Sequence, residues 1–311
     1  MDRFCFGADI GGTTVKLGLF TPGGDVVKKW EIPTRKEDKG SHILPDIAES
    51  IKDEMAARNL ERDNIIGIGV GAPGPVDKDG IIYKAVNLGW GVLNIKQELN
   101  KLTNLPVRAG NDANVAALGE MWKGGGEGFK DLVVVTLGTG VGGGVIIDGK
   151  VVAGYNGGGG EIGHIHIEDA EEEACGCGNR GCLEQYTSAT GVVRLANRRL
   201  KKDDKDSVLR GQEVTAKTVF DAVKAGDPLA IEIAEQFGRY LGKGLACIAG
   251  VVNPEVFVIG GGVSKAGQVI IDYIQKYYSQ YVFHASSEAK FKLATLGNDA
   301  GIYGAAKLVL E

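Results

Sequence analysis

No long apolar run is present in this sequence. The longest uncharged stretch, residues 132–147, is glycine-rich and shorter than the roughly 20 apolar residues of a membrane-spanning helix, so it is expected in a soluble core. A surplus of positive charge is also missing. The formal net charge of −5 argues against a nucleic-acid binder, whose affinity comes largely from neutralising phosphates. The opening residues, MDRFCFGADIGG, lack a basic segment followed by an apolar one, and no secretory leader is expected. Cysteine is scarce and odd in number. Of five, three crowd together as Cys175, Cys177 and Cys182, which suits metal binding in a reducing compartment, the cytoplasm, better than a disulfide framework. No loop closes on the G-K-[ST] that a Walker A phosphate loop requires.

Glycine, by contrast, is abundant. The 49 glycines in 311 residues far exceed the average of about 7% and gather in a few loops. A chain this long exceeds what one core usually organises, so two domains with a cleft between them are expected. FCFGAD at 4–9 reads as a buried strand, followed by IGGTT, then VKLGLF as a second strand, TPGGD as a turn and VVKKW as a third strand. The plan returns in mid-chain as DLVVVT, the glycine loop LGTGVGGG, VIID, an Asp148-Gly149 hairpin turn and KVV. Two copies of one plan suggest two related α/β domains. The expected division is a smaller N-terminal domain of 1–109 plus 298–311 and a larger one of 110–297 that carries a zinc-binding insertion.

Helices fill the intervals. Asp227-Pro228 reads as an N-cap and first-position proline, after which Ile233, Phe237, Leu241, Leu245 and Ile248 recur at helical spacing. Gly238, Gly242 and Gly244 on this helix should let another element approach. EVFVIGGGVS then reads as a strand ending in three glycines, with a helix over 265–279, and GIYGAAKLVL as a helix that docks back on the first domain. Cys5 and Cys247 lie in apolar patterns and read as core residues.

Backbone N–H groups on glycine can approach phosphate oxygens closely, so Asp9-Ile10-Gly11-Gly12-Thr13-Thr14 after a strand is a candidate phosphate loop. Lys16 could add charge, and Asp9 could hold hydrated Mg²⁺. The competing reading is a tight hairpin that needs glycine for positive φ. Gly138–Gly143 formally matches the dinucleotide fingerprint G-x-G-x-x-G, but a strand hairpin follows where that fingerprint needs a helix. Glycine loops near residues 11, 140 and 261 instead suggest one nucleotide held by both domains.

Asn111-Asp112 falls between the strand PVRAG and the helix DANVAALGEMW, at the strand end where α/β ligands collect. Either residue could simply cap the helix. The functional alternative makes Asp112 a base for a substrate hydroxyl and Asn111 a positioning group. Further on, Glu161-Ile162-Gly163-His164 precedes Cys175, Cys177 and Cys182, and one histidine with three cysteines is a full tetrahedral set for zinc. Four protein ligands leave no position for water, so such a zinc would be structural.

In order, DIGGTTVKLG, GAPGPVD, NLGW, GNDANVAALGE, LGTGVGGG, GGGGEIGH, CGCGNRGCLE and VIGGGVS make the chain resemble, nearly end to end, the ROK family (repressors, open reading frames and kinases). The resemblance implies an α/β fold of two actin-like ATPase (ribonuclease H-like) domains with an interdomain cleft. It implies Asp112 as catalytic base and Asn87, Asn111, Asp112, Glu161, His164 and Glu184 as sugar contacts. Asp9, Gly11, Gly12, Thr13, Lys16, Thr139, Gly140, Gly261 and Gly262 would surround ATP and Mg²⁺, while His164, Cys175, Cys177 and Cys182 would hold structural Zn²⁺. GAPGPVD and NLGW look like the glucokinase members, which transfer phosphate from ATP to the 6-hydroxyl of glucose. The alternatives are a kinase for N-acetylmannosamine or another hexose, or a sugar-sensing regulator lacking its DNA-binding segment. Small-molecule partners and a homodimer are expected, without nucleic acid or membrane.

Overall fold

A computed structural model describes residues 3–311. Strands β1 (Phe4–Ile10), β2 (Thr14–Phe20) and β3 (Val26–Pro33) form an antiparallel meander, and β4 (Ile65–Ala72) and β5 (Val107–Asn111) extend it in parallel, in the order β3-β2-β1-β4-β5. The second sheet repeats this order. It consists of β6 (Leu132–Leu137), β7 (Val141–Ile147), β8 (Lys150–Val151), β9 (Val256–Gly260) and β10 (Lys290–Leu293), arranged β8-β7-β6-β9-β10 with β6, β9 and β10 parallel. The duplication read from the glycine loops is therefore a duplication of sheet topology, as two actin-like ATPase domains require.

Two compact units result. One comprises the described residues up to Gly128 with Gly144–Gly160 and Leu296–Glu311; the other comprises Phe129–Gly143 and Glu161–Thr295. The first unit thus runs past residue 109, where the sequence suggested a division, and takes in helix α3 (Asp112–Lys123), which follows α1 (Ile43–Ala57) and α2 (Ile95–Thr103). The reason is close packing on the C-terminal helix, Ala300–Leu310. A Cβ on Gly119 of α3 would lie 2.2 Å from the Ala300 carbonyl oxygen, and one on Gly304 would lie 1.6 Å from that of Val115. Glycines of the sheet admit the same helix: a Cβ on Gly7 would lie 2.1 Å from the Ile302 oxygen, and one on Gly69 would lie 1.7 Å from that of Ala305.

Four further helices belong to the second unit: α4 (Ala189–Leu200), α5 (Ala216–Lys224), α6 (Pro228–Val252) and α7 (Gln268–Tyr281). The last helix, α8 (Ala300–Leu310), is the one on the first sheet. Asp227 caps α6 by accepting from the Ala230 N–H at 2.9 Å, with Pro228 in the first turn. The stripe Ile233, Phe237, Leu241, Leu245, Ile248 is buried. Gly238 and Gly242 admit α7, since a Cβ on either would lie 2.7 Å from its backbone.

Three expectations need correction. β7 begins at Val141, so the glycine loop is only Gly138–Gly140; Gly144 lies in the strand because a Cβ there would sit 2.3 Å from the Ala117 methyl. The helix expected over 265–279 begins at Gln268, after a 3-10 turn over Val263–Ala266 that ends at Gly267, whose φ is +84°. Cys5 is buried but Cys247 is exposed, being one helical turn from exposed Lys243 and outside the apolar stripe. Among the described residues no helix is long and apolar enough to cross a membrane.

Candidate active site

In the first unit the site starts at the end of β1. Gly11 N–H donates to the Thr14 carbonyl at 3.0 Å, closing the turn, and Thr34 braces it by donating its hydroxyl to the Gly11 carbonyl at 2.8 Å. Neither Gly11 nor Gly12 has positive φ, so the turn does not need glycine for its dihedrals. Space separates the two. A Cβ on Gly11 would lie 2.8 Å from the Thr14 oxygen, whereas one on Gly12 would meet nothing within 4 Å. Gly12 therefore leaves backbone open to an approaching ligand.

Asp9 stands beside this turn with its carboxylate against the start of α8, where a Cβ on Gly301 would come within 2.3 Å of its Oδ2. Burial, reinforced by the negative charge of Asp112 and only partly offset by Lys16, pushes the Asp9 carboxyl up to about 6. Lys16 itself donates to the Asn298 carbonyl at 3.0 Å. The Asp9 and Asp112 carboxylates, only partly offset by Lys16, make a region of surplus negative charge. A divalent cation would relieve it, and Asp9 fits such an ion by its donor atoms and position.

Asn111, not Asp112, is the helix cap. Its side-chain oxygen accepts from the Asn114 N–H at 3.1 Å, while its amide donates to the Gly74 carbonyl at 3.1 Å and to Asp112 Oδ1 at 3.0 Å. Asp112 is the first residue of α3, and its Oδ1 also accepts from the Ala113 N–H at 2.8 Å. The Asp112 carboxylate is thus oriented by two donors while the capping duty falls to its neighbour. Asn114, which sequence reasoning passed over, donates to the Gly159 carbonyl at 3.4 Å and so ties α3 to the glycine run before Glu161.

In the second unit, several predicted residues converge on Val141. Glu184 opens a helical turn over Glu184–Thr187, and its Oε2 accepts from the Val141 N–H at 2.9 Å. Gly140 permits this approach, because a Cβ there would lie 2.2 Å from Glu184 Oε2. Gly163 of the GEIGH motif packs on the same residue, with its would-be Cβ 2.2 Å from the Val141 carbonyl oxygen. The loop is tied to the start of α4 as well: Thr190 donates its hydroxyl to the Thr139 carbonyl at 2.7 Å, and Ala189 N–H donates to that of Gly138 at 2.7 Å. The signal for Val141 as a hub lay in the glycines around it.

His164 and the three cysteines meet beside Glu184. One donor atom from each of His164, Cys175, Cys177 and Cys182 lies within 4.8 Å of the others. Cys175 Sγ is 3.8 Å from His164 Nδ1, and Cys177 Sγ is 3.6 Å from Cys182 Sγ. Zinc–sulfur bonds of about 2.3 Å in a tetrahedron set ligand atoms about 3.8 Å apart, so the donors fit zinc in identity and spacing. Burial, with the neighbouring Cys177 and Cys175, pushes the Cys182 thiol up to about 12, so its thiolate calls for a cation.

The acidic segment before Cys175 is anchored. Glu171 is buried, which by itself would raise its carboxyl, yet hydrogen bonds from Arg194, Arg198 and Tyr186 hold it far below the usual carboxylate range. Glu173 pairs with the same two arginines of α4. The segment EDAEEE is therefore a fixed strut leading to Cys175.

A family profile described as the ROK family matches residues 5–311. The chain belongs to the ROK family. A glucokinase from Halalkalibacterium halodurans is 44% identical over 316 residues, spanning 100% of this chain and 96% of the relative. Among solved structures, a ROK family glucokinase from Streptomyces griseus in complex with glucose and AMPPNP has a TM-score of 0.75 at 32% identity, with 98% of each chain covered. A ROK hexokinase from Thermus thermophilus has a TM-score of 0.79 at 32% identity, covering 99% of this chain and 97% of that one.

The remaining residues marked by the ROK resemblance are placed as follows. Glu161 is exposed just before the 3-10 turn Ile162–His164, and Asn87 is exposed on another such turn, Val86–Leu88, with Gly89 left-handed after it. Thr13 and Thr139 are exposed on their loops. Gly261 has a structural duty, since its φ is +85° and a Cβ would lie 2.4 Å from the Leu137 oxygen. Gly262 resembles Gly12 in having nothing within 4 Å of a would-be Cβ.

Proposed function

We propose that this ROK protein is an ATP-dependent glucokinase that transfers the γ-phosphoryl group to the 6-hydroxyl of glucose. The observation that carries the reading is the Asn111-Asp112 junction: the cap is made by Asn111, and the Asp112 carboxylate is held at the head of α3 by the Asn111 amide and the Ala113 N–H. A carboxylate is stabilised at a helix N-terminus and suits a base at neutral pH. On this reading Asp112 accepts the proton of the 6-hydroxyl as the phosphoryl group arrives. Phosphoryl transfer depends mainly on positioning and charge stabilisation, so the orientation of the hydroxyl matters as much as its deprotonation.

Asn87, Asn111, Glu161, His164 and Glu184 are the further hexose contacts. Gly11, Gly12, Thr13, Thr139, Gly140, Gly261 and Gly262 carry the nucleotide, with Gly12 and Gly262 offering the open backbone. Lys16 adds positive charge, and Asp9 holds Mg²⁺, which neutralises charge on the ATP phosphates. His164, Cys175, Cys177 and Cys182 hold a structural zinc. Ligation through His164 Nδ1, the atom near Cys175, leaves Nε2 for the sugar and fixes the ring's rotamer and tautomer. The protein works as a homodimer in the cytoplasm, where thiols stay reduced.

The test is ADP formation with and without hexose. A kinase makes ADP only when a hexose is supplied and yields sugar phosphate in equal amount. Sugar binding without turnover would favour a sugar-sensing regulator on the same fold.

A further inference from the structure

We propose that Glu184 is a positioning residue for the nucleotide loop, so that one carboxylate serves the sugar contact and the ATP site together. The proposal rests on the kinase reading and goes beyond it, since that reading gives Glu184 only a sugar hydroxyl. Its Oε2 accepts from the Val141 N–H at 2.9 Å and stands where a Cβ on Gly140 would come within 2.2 Å. Gly140 thereby leaves the room in which the Glu184 carboxylate meets the loop, and a side chain there would push it aside. The other oxygen, Oε1, lies 3.5 Å from Cys175 Sγ, which puts the carboxylate next to the His164–cysteine cluster.

The loop's other supports act elsewhere on it. Gly138 N–H donates to the Gly140 carbonyl at 3.0 Å across the turn, and α4 holds the carbonyls of Gly138 and Thr139. The Glu184 contact reaches the N–H side at the point where loop becomes strand. Loss of that acceptor would leave the Val141 N–H unpaired beside the loop and free Thr139 and Gly140 to take other conformations. Nucleotide would then bind a loop that is only partly in its competent form, and its apparent affinity would fall by that fraction.

Glu184→Ala and Glu184→Gln separate this role from a plain sugar contact. The amide oxygen of glutamine can still accept from Val141 N–H, whereas alanine offers nothing. The experiment titrates Mg²⁺-AMPPNP into each protein without sugar by calorimetry, then titrates glucose, and records zinc content and melting temperature alongside. The expected result is nucleotide affinity about tenfold weaker in the alanine variant, the scale of one hydrogen bond to a charged group, and within about threefold of wild type in the glutamine variant. Glucose affinity should fall in both. Alanine-variant affinity for AMPPNP equal to wild type overturns the proposal, as does an equal loss in both variants. Should the alanine variant fail to fold, Glu184→Leu, which also offers no acceptor to the Val141 N–H, takes its place: AMPPNP affinity about tenfold weaker than wild type supports the role, and wild-type AMPPNP affinity overturns it. A wild-type protein that binds no AMPPNP overturns the kinase reading along with this one, whereas normal wild-type binding matched by both variants removes this one alone.

Discussion

Replacing Asp9 by asparagine should make the metal-free protein more stable while disabling it. The folded protein raises the Asp9 carboxyl from 3.8 to about 6, through burial first and the Asp112 charge second. A carboxyl with a raised folded pKa binds its proton more tightly when folded, which favours the fold below about pH 4; that advantage is lost as the pH climbs through about 6. At pH 8 an ionised Asp9 therefore costs up to about 3 kcal/mol at 1.36 kcal/mol per pKa unit, and about 2 kcal/mol once screening at its partly exposed position is allowed for. Asparagine keeps the shape and carries no charge. Thermal melts of both proteins in Mg²⁺-free buffer between pH 4 and pH 8 provide the assay. Relative to wild type, Asp9→Asn should gain stability across pH 4 to 6 and hold that gain above it, a rise of a few degrees in Tm for a chain of this size. The variant should lose most of its Mg²⁺-dependent nucleotide turnover, the stability–activity opposition expected where a charge is kept for its function. A stability difference that does not change with pH would refute the argument, as would a variant that is less stable than wild type at pH 8.

Two other outcomes follow from the site. Asp112→Ala should lower kcat at least about 10²-fold, the usual scale for losing a general base, while calorimetry shows ATP and glucose still binding; turnover near wild type in the folded variant would remove Asp112 from the chemistry. Cys177→Ser, or prolonged chelation, should lower Tm and raise KM for glucose by freeing His164, and metal analysis should return about one zinc per chain in the wild type. Full activity with less than about one zinc per ten chains would show that the cluster is not a zinc site.

Much of this was legible in the residues because short-range patterns decided it. The meander around Gly11-Gly12 and the cap at Asp227 rest on local turn and capping chemistry, and the tetrahedral donor set rests on residue types that rarely crowd for other reasons. What the chain hid was long-range. The need for glycine at 144 depends on α3 packing beside it, where a Cβ would sit 2.3 Å from the Ala117 methyl, which no local pattern states. Asn111 and Asp112 were equal candidates for the cap until the Gly74 carbonyl and Asn114 N–H fixed the Asn111 side chain. The first unit's reach to Gly128 reflects glycine-backed contacts between helices almost 200 residues apart in sequence, Gly119 with Ala300 and Val115 with Gly304. Glu184 looked like a sugar contact from CGCGNRGCLE, and its bond to Val141 is visible only in three dimensions.

The central claim is best tested by kcat/KM for glucose, N-acetylmannosamine, N-acetylglucosamine, fructose and galactose at saturating ATP and Mg²⁺. A site whose polar groups are desolvated around the bound sugar and pair with its hydroxyls rejects sugars that misplace them, because those groups are then left unpaired. The account predicts glucose first, with each of the other four at least about tenfold lower, the loss expected for one unmade hydrogen bond to a charged group. An acetylated hexosamine ahead of glucose would contradict the glucokinase assignment, and no ADP formation with any of the five would contradict the kinase itself.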